Sequence, residues 1–246
     1  MISAVIPVYN EQHNITPLLE ELQAVSARVP LAEIIMVDDA SDDDTYDTLL
    51  FLRARFPALR VLRHSMRAGQ SAALWTGIQA ARQPVIVTLD GDGQNNPDDI
   101  SLLYERFQKH GGVRHPVMIA GQREKRHDNL IRKISSRTAN GVRSFLLRDK
   151  TRDTGCSLKM FRRQDYLALP YFNHMHRFLP ALMMRERVLI DHVNVSHRPR
   201  ERGVSKYGTL ERLAAGIIDL MGVLWLQKRA RPALTITEKE QTRDAA

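Results

Sequence analysis

Cysteine is almost missing from this chain. Cys156 stands alone, so no internal disulfide can form, and a reducing compartment is expected. No run of about eighteen uncharged apolar residues occurs, which excludes a bilayer-spanning helix. No basic leader with an apolar core and a small-residue cleavage site precedes Ile2, so no secretory signal is expected. Aromatic residues make up 6% and are not interleaved with the basic ones, which argues against nucleic acid as the partner. Neither G-x-G-x-x-G nor G-x-x-x-x-G-K-[ST] is present, which sets aside dinucleotide folds and P-loop NTPases. Internal repeats and low-complexity tracts are absent as well.

What is there suits one large α/β domain with an appendage: 246 residues, 43% hydrophobic. The net charge of +8 is unevenly spread. Residues 122–152 carry ten Lys/Arg against three acids, residues 197–231 are also basic, and residues 38–47 are acidic. Such an imbalance calls for an anionic partner such as phosphates or an acidic membrane.

Apolar runs alternate with amphipathic segments. Ile2–Pro7, Glu33–Val37, Leu59–Leu62 and Val85–Leu89 read as strands of a parallel sheet. Between them, helices are expected from Thr16 or Pro17 through Val25, after Ser41-Asp42-Asp43-Asp44 through Leu52, and from Ser71 through Ile78. Four strand–helix repeats in about ninety residues predict a doubly wound, Rossmann-like sheet. Beyond it, Pro97–Phe107 reads as a helix capped near Asp98. Pro116–Ala120 is a strand, Ile131–Leu146 a helix with a basic polar side, and Asp153–Phe161 a turn feeding a strand. Val188–Val195 is a further strand, and Leu210–Gln227 a closing helix. The expected division is a catalytic domain over 1–207, an amphipathic helix over 208–231 and a disordered tail over 232–246.

In open α/β sheets ligands wait beyond the carboxyl ends of the strands. Asp90, Asp92 and Gln94 leave such an end on a glycine-spaced turn and offer hard oxygen ligands suited to Mg2+ or Mn2+ carrying phosphates. A solvated acidic cap is the plain alternative for that turn. Pro7–Glu11 and Asp38-Asp39 follow strands at the same edge, where a nucleoside could lie. Asp42, Asp43 and Asp44 read as helix N-terminal charge, His174 and His176 as surface or packing residues, and Cys156 as a small buried residue.

The segments Ile6-Pro7-Val8-Tyr9-Asn10-Glu11, Val37-Asp38-Asp39-Ala40-Ser41-Asp42, Arg67-Ala68-Gly69-Gln70 and Leu89-Asp90-Gly91-Asp92-Gly93-Gln94 together resemble the GT-A glycosyltransferases of family 2. The resemblance is to the polyprenyl-phosphate sugar synthases of the dolichyl-phosphate mannosyltransferase type. Arg123, the Arg132–Asn140 segment, Asp153-Thr154-Gly155 and Arg202-Gly203-Val204-Ser205-Lys206 extend it over roughly residues 2–226. The resemblance implies a GT-A fold: α/β, a doubly wound and mostly parallel sheet, here with a C-terminal amphipathic helix. It implies inverting transfer from a GDP- or UDP-linked sugar to a polyprenyl phosphate of the undecaprenyl or dolichyl type. Pro7, Tyr9, Glu11, Asp38, Asp39, Gln70 and Asp90 would bind the nucleotide, and Asp90, Asp92 and Gln94 would hold the Mg2+ or Mn2+. Arg202 and Lys206 would clamp the phosphates, and Arg123, Arg132, Ser136 and Asn140 would take the acceptor phosphate. Asp92, Arg202, Lys206 and Asp153 are the candidate catalytic set, with Asp153 either a base or the residue that orients an arginine.

A phosphate monoester is already anionic near neutrality, since its second pKa is about 6. Such an acceptor makes a dedicated base optional and places the burden on aligning and neutralising two phosphates. The C-terminal helix carries a broad apolar face beside Lys228, Arg229 and Arg231. It suits the cytoplasmic membrane surface, or packing on the domain or in a homodimer contact. A cytoplasmic, membrane-peripheral enzyme is the expectation. The rivals are a family 2 transferase acting on a saccharide hydroxyl, a response-regulator-like module built on Asp38-Asp39, and a silent membrane-binding protein.

Overall fold

A run without a single charge, apolar but for Ser3, forms β1 (Ile2–Val8), which is buried along almost its whole length and therefore central. The structure, a computed structural model, describes residues 1–123, 143–149, 151–199 and 209–229, with the backbone alone over 209–215. β1 pairs in parallel with β2 (Leu31–Asp38) on one side and β4 (Val85–Thr88) on the other, and β3 (Leu59–Arg63) continues the sheet beyond β2. The second half adds β5 (Val117–Arg123), β6 (Lys159–Arg162) and β7 (Leu189–Val195), giving seven strands in the order β3-β2-β1-β4-β6-β5-β7. β6 alone is antiparallel to its neighbours, so its first residue, Lys159, pairs with Thr88 at the last residue of β4. The doubly wound, mostly parallel sheet expected from the strand–helix repeats is thus present.

Alternation along the strands sends side chains to two cores. Ile2, Ala4, Ile6, Ile34, Met36, Val85 and Val87 face one side of the sheet. There they meet α1 (Gln12–Val25), α2 (Thr45–Leu52) and α4 (Ile100–Lys109). Val5, Ile35, Val37 and Ile86 face the other. Their partners there are α3 (Gln70–Ala80), α5 (Arg163–Leu167), α6 (Leu179–Arg185) and α7 (Thr209–Lys228).

Three boundaries differ from expectation. α1 begins at Gln12, with Pro17 inside it rather than at its first turn. The bond Pro17 cannot donate would go to the His13 carbonyl, in a first turn whose His13 is exposed to water, so little is lost. The helix expected from Pro97 opens instead as a short 3-10 turn, Pro97–Asp99, with Asn96 accepting from the Asp98 amide before α4. Of the helix expected over Ile131–Leu146, residues 143–147 are helical and the rest lies outside the described residues. The tail 232–246 also lies outside them.

α7 uses two faces. On one, Val223 is buried, Arg185 Nε donates to the Leu226 carbonyl at 2.9 Å, and Gln227 Nε2 donates to the Leu147 carbonyl at 3.2 Å. On the other, Ile217, Ile218, Met221 and Trp225 are exposed within an arc of about 100° at 3.6 residues per turn.

Candidate active site

The carboxyl ends of β2, β1 and β4, the start of β6 and the end of β5 share one edge of the sheet. Read across that edge, they bring Asp39, Pro7–Glu11, Asp90–Gln94, Lys159 and Arg123 into one row.

The first two turns are stitched together. Asn10 and Ala40 have positive φ (54° and 58°). The Asn10 amide donates to Ser41 Oγ at 3.0 Å, its side chain bonds Asp42, and the Glu11 amide donates to Thr45 Oγ1 at 2.9 Å. Pro7, Tyr9 and Glu11 are half-buried at this seam. The Arg67 guanidinium lies 4.1 Å from the centroid of the Tyr9 ring, and Asn14 Nδ2 donates to Glu11 Oε2 at 2.6 Å.

Asp38 and Asp39 part company. The Asp38 side chain is fully buried: Oδ1 accepts from the Ser41 amide at 3.2 Å, and Oδ2 lies 3.2 Å from Arg63 Nε without hydrogen-bond alignment. It supports the turn from below. Asp39 accepts from His64 Nδ1 at 2.8 Å, the Ala68 amide at 2.9 Å and the Gly69 amide at 2.7 Å, filling three of about four carboxylate positions. It holds the 64–70 segment, which delivers Gln70.

Gln70 Nε2 donates to Asp90 Oδ1 at 2.7 Å. The Asp90 amide is fixed by Asn95 Oδ1 at 3.0 Å and Ser157 Oγ at 3.1 Å. Burial, then the neighbouring Asp92 charge, push the Asp90 carboxyl up to about 6, against the opposing pull of Ser157, Lys159 and Arg123. Asp92 Oδ1 caps the turn by accepting from the Gln94 amide at 3.2 Å. Gly91 allows this turn to press on β1: a Cβ there would stand 2.6 Å from Val8 Cγ1. The Gln94 carbonyl accepts from the Arg198 amide at 3.0 Å, tying the turn to the chain that follows β7.

These donors are hard oxygens in a spot with excess negative charge, which fits Mg2+ or Mn2+. Among the described residues no group of three His, Cys, Asp or Glu gathers, so the remaining ligand positions would fall to water and phosphate oxygens, as Mg2+ favours.

Arg123 Nε and Nη2 donate to Asp153 at 2.6 and 2.7 Å, a two-pronged pair. Burial alone would lower the Arg123 pKa, but Asp153 more than offsets it, and the guanidinium is held above its usual value. Of the two roles weighed for Asp153, orienting an arginine is the one this geometry matches. Arg132, Ser136, Asn140, Arg202 and Lys206 lie outside the described residues.

Several neighbours were not anticipated. Lys159 is 4% exposed, its ammonium donates to the Cys156 carbonyl, and burial lowers its pKa against the pull of Cys156, Asp90 and Asp153. A lone lysine inside Leu158-Lys159-Met160-Phe161 was the signal available. Ser157 and Asn95 lock the Asp90 turn, Ser157 Oγ donating to Asn95 Oδ1 at 2.7 Å. His176, with Nδ1 2.7 Å from Ser71 Oγ, lines with Arg177 a cavity of about 210 Å³ beside Asp90. Burial drops the His176 pKa to about 3, so the ring is neutral. Cys156 is buried, as expected.

The sequence model of glycosyl transferase family 2 matches residues 3–168. A dodecaprenyl-phosphate galacturonate synthase of Rhizobium johnstonii is 35% identical over 94% of this chain and 69% of its own length. An undecaprenyl-phosphate 4-deoxy-4-formamido-L-arabinose transferase of Pectobacterium carotovorum is 33% identical over 89% of this chain and 65% of its own. The chain therefore spans about two thirds of the length of these relatives. Among solved structures, the glucosyl-3-phosphoglycerate synthase of Mycobacterium tuberculosis, in complex with Mn2+, UDP and glucosyl-3-phosphoglycerate, superposes with a TM-score of 0.69. That match covers 95% of this chain and 81% of the synthase, at 18% identity, and speaks for the fold.

Proposed function

The chain belongs to glycosyl transferase family 2, among relatives of the polyprenyl-phosphate sugar synthase type. From that membership we propose that it transfers a sugar from a UDP- or GDP-linked donor to a polyprenyl phosphate, with inversion. One observation carries the reading: at one sheet edge, Asp90 and Asp92 stand between the turns that carry Tyr9 and Asp39 and the cationic Arg123 and Lys159. The relatives' names supply the acceptor, and they differ in the sugar.

In this reading an anionic oxygen of the acceptor phosphate attacks the anomeric carbon as the bond to the donor's diphosphate breaks, and the nucleoside diphosphate leaves. A divalent ion held by Asp90 and Asp92, with Gln94 beside them, would neutralise the departing diphosphate. Gln70 and the Asn95–Ser157 pair keep Asp90 aimed, and Arg123, braced by Asp153, presents a fixed fork to the acceptor phosphate. Transfer to a saccharide hydroxyl would need a general base, and Asp153 has both oxygens committed to Arg123.

No helix among the described residues is long and apolar enough to cross a membrane. The Ile217, Ile218, Met221 and Trp225 face, followed by Lys228 and Arg229, would seat the enzyme on an anionic membrane surface at the cytoplasmic side, where its acceptor lies. Incubation with nucleotide sugars, polyprenyl phosphate and Mg2+ or Mn2+ tests the function. Lipid-linked sugar is expected; donor consumption no greater than in metal-free controls, with no lipid product, would refute it.

A further inference from the structure

Resting on the reading that a divalent ion is held at the Asp90–Gln94 turn, we infer that Arg198 is a positioning residue for that site: from the chain beyond β7 it sets which end of the Gln94 side-chain amide faces the cation.

Gln94 is where the two segments meet. The chain leaving the turn is joined to the chain leaving β7 by an antiparallel bridge between Asn95 and His197. The Arg198 amide donates to the Gln94 carbonyl at 3.0 Å, and Gln94 Nε2 donates to the Arg198 carbonyl at 3.5 Å. A carbonyl accepts and never donates, so it draws the NH2 end of the Gln94 side chain to itself. The other end, Oε1, is turned away from Arg198, and it is the only atom of that amide a hard cation can use. A flipped amide would set its N–H hydrogens toward the cation and leave Oε1 against a carbonyl oxygen. The Gln94 backbone amide donates to Asp92 Oδ1 at 3.2 Å, so the same residue is tied to the acidic turn and to Arg198.

The Arg198 side chain holds that carbonyl in place. Nη1 reaches both oxygens of Glu21 on α1 at 2.8 and 2.9 Å, and Nη2 donates to Asn96 Oδ1 at 2.9 Å. One guanidinium thus joins α1, the chain leaving the acidic turn and the chain leaving β7. Two residues earlier, the Ser196 amide and hydroxyl donate to Asp99 Oδ2 at 2.8 and 2.7 Å, so this segment is pinned at both ends. The Arg198 and Glu21 side chains are 42% and 37% exposed, and an ion pair so wetted adds little to global stability. Its worth lies in placement, and partners that orient a metal ligand typically change affinity about 10- to 100-fold.

Calorimetry of UDP and of GDP on the full chain, each in Mn2+ and in EDTA, tests this. For wild type, one nucleotide should bind more tightly with Mn2+, and the ratio of its two Kd values measures the gain from the metal. R198M should cut that gain about 10-fold, with the Kd and the melting temperature in EDTA unchanged. R198K keeps the charge without the fork and should fall between. E21Q should shift the gain in the same direction, and R198M/E21Q should be no worse than R198M, because both act through one contact. If R198M does not fold, R198K and E21Q carry the same test. A wild-type gain retained in these variants, with or without a lower melting temperature, makes Arg198 a structural tie and overturns the inference while the metal reading stands. Equal weakening in Mn2+ and EDTA assigns Arg198 to the nucleoside and also overturns it. If wild type binds neither nucleotide better with Mn2+, the metal reading fails and the inference falls with it.

Discussion

Two turns at the same sheet edge, one after β2 and one after β4, each present a carboxylate, and their electrostatic conditions are opposite. Asp39 is supplied with two backbone amides and a histidine, all from the segment it organises. Asp90 receives one amide hydrogen, from Gln70, and burial first, then the charge of Asp92, push it up to about 6. A carboxylate with its donors in place stabilises the fold. One left short of donors beside a like charge weakens it, and is retained where a cation completes the set. In the proposed function, the difference marks Asp39 as the residue that shapes the site and Asp90 and Asp92 as the pair that would take the cation.

The largest effect is expected from D92N. Turnover should fall about 10²- to 10³-fold, the loss seen when a positioned electrostatic group is removed from a transition state. Melting in metal-free buffer should hold or rise, because a like-charge contact with Asp90 is gone. Mn2+ should raise the wild-type melting temperature and not that of the variant. Near-wild-type turnover would end the metal assignment and, with it, the contrast drawn between the two turns.

G91A attacks the same turn through packing. Its Cβ would stand 2.6 Å from Val8 Cγ1 and 3.2 Å from the Pro7 carbonyl oxygen, and overpacking of this kind costs about 1–3 kcal/mol. Turnover and melting temperature should fall together, unlike in D92N, with a melting shift of about 2–4 °C per kcal/mol for a chain of this size. A G91A protein that melts normally would show that the turn has room to move off β1.

Strand ends were legible in the sequence because a buried parallel strand is a continuous apolar run that stops at turn residues, as Val85–Thr88 stops before Asp90. That placed Tyr9, Glu11, Asp39 and Asp90 at one edge before any coordinates. Pairing was not legible. β6 enters antiparallel between β4 and β5, and no periodicity announces that Thr88 Oγ1 will donate to the Ser157 carbonyl, 69 residues away. Lys159 and Ser157 therefore went unassigned, and His176 was given only a surface or packing role. Nor could the sequence tell Asp38 from Asp39: they share motif and charge, and the structure gives them different partners, the Ser41 amide for one and His64, Ala68 and Gly69 for the other.

D39N should give the signature opposite to D92N. An amide in place of the carboxylate sets its own N–H hydrogens against donors at Ala68, Gly69 or His64, and an unsatisfied buried donor costs about 1–3 kcal/mol. The melting temperature should drop. The donor KM should rise more than kcat falls, since Gln70 is misplaced rather than removed. A variant with normal melting and lost turnover would move Asp39 into the chemistry.

Glu33 supplies the smallest effect and the control. It lies near the start of β2, at the opposite edge of the sheet, and is supplied as fully as Asp39: Ser3 Oγ at 2.6 Å, the Arg82 amide at 2.5 Å and Arg60 Nη1 at 2.7 Å. Burial raises its pKa, but the Ser3, Arg82 and Arg60 contacts outweigh burial, and the carboxyl titrates below its ordinary 4.5. A depressed carboxylate contributes stability that is present above the unfolded value and is lost as pH falls through the folded one. E33Q should therefore be less stable than wild type by about 1 kcal/mol at neutral pH, and the two should converge as the solution is acidified below 4.5. Donor affinity and turnover at neutral pH, measured well below the melting temperature, should match wild type. If E33Q impairs donor binding as D39N does, the loss of a well-supplied carboxylate acts through global stability. The distinction between the two strand-end turns would then rest on Asp90 and Asp92 alone.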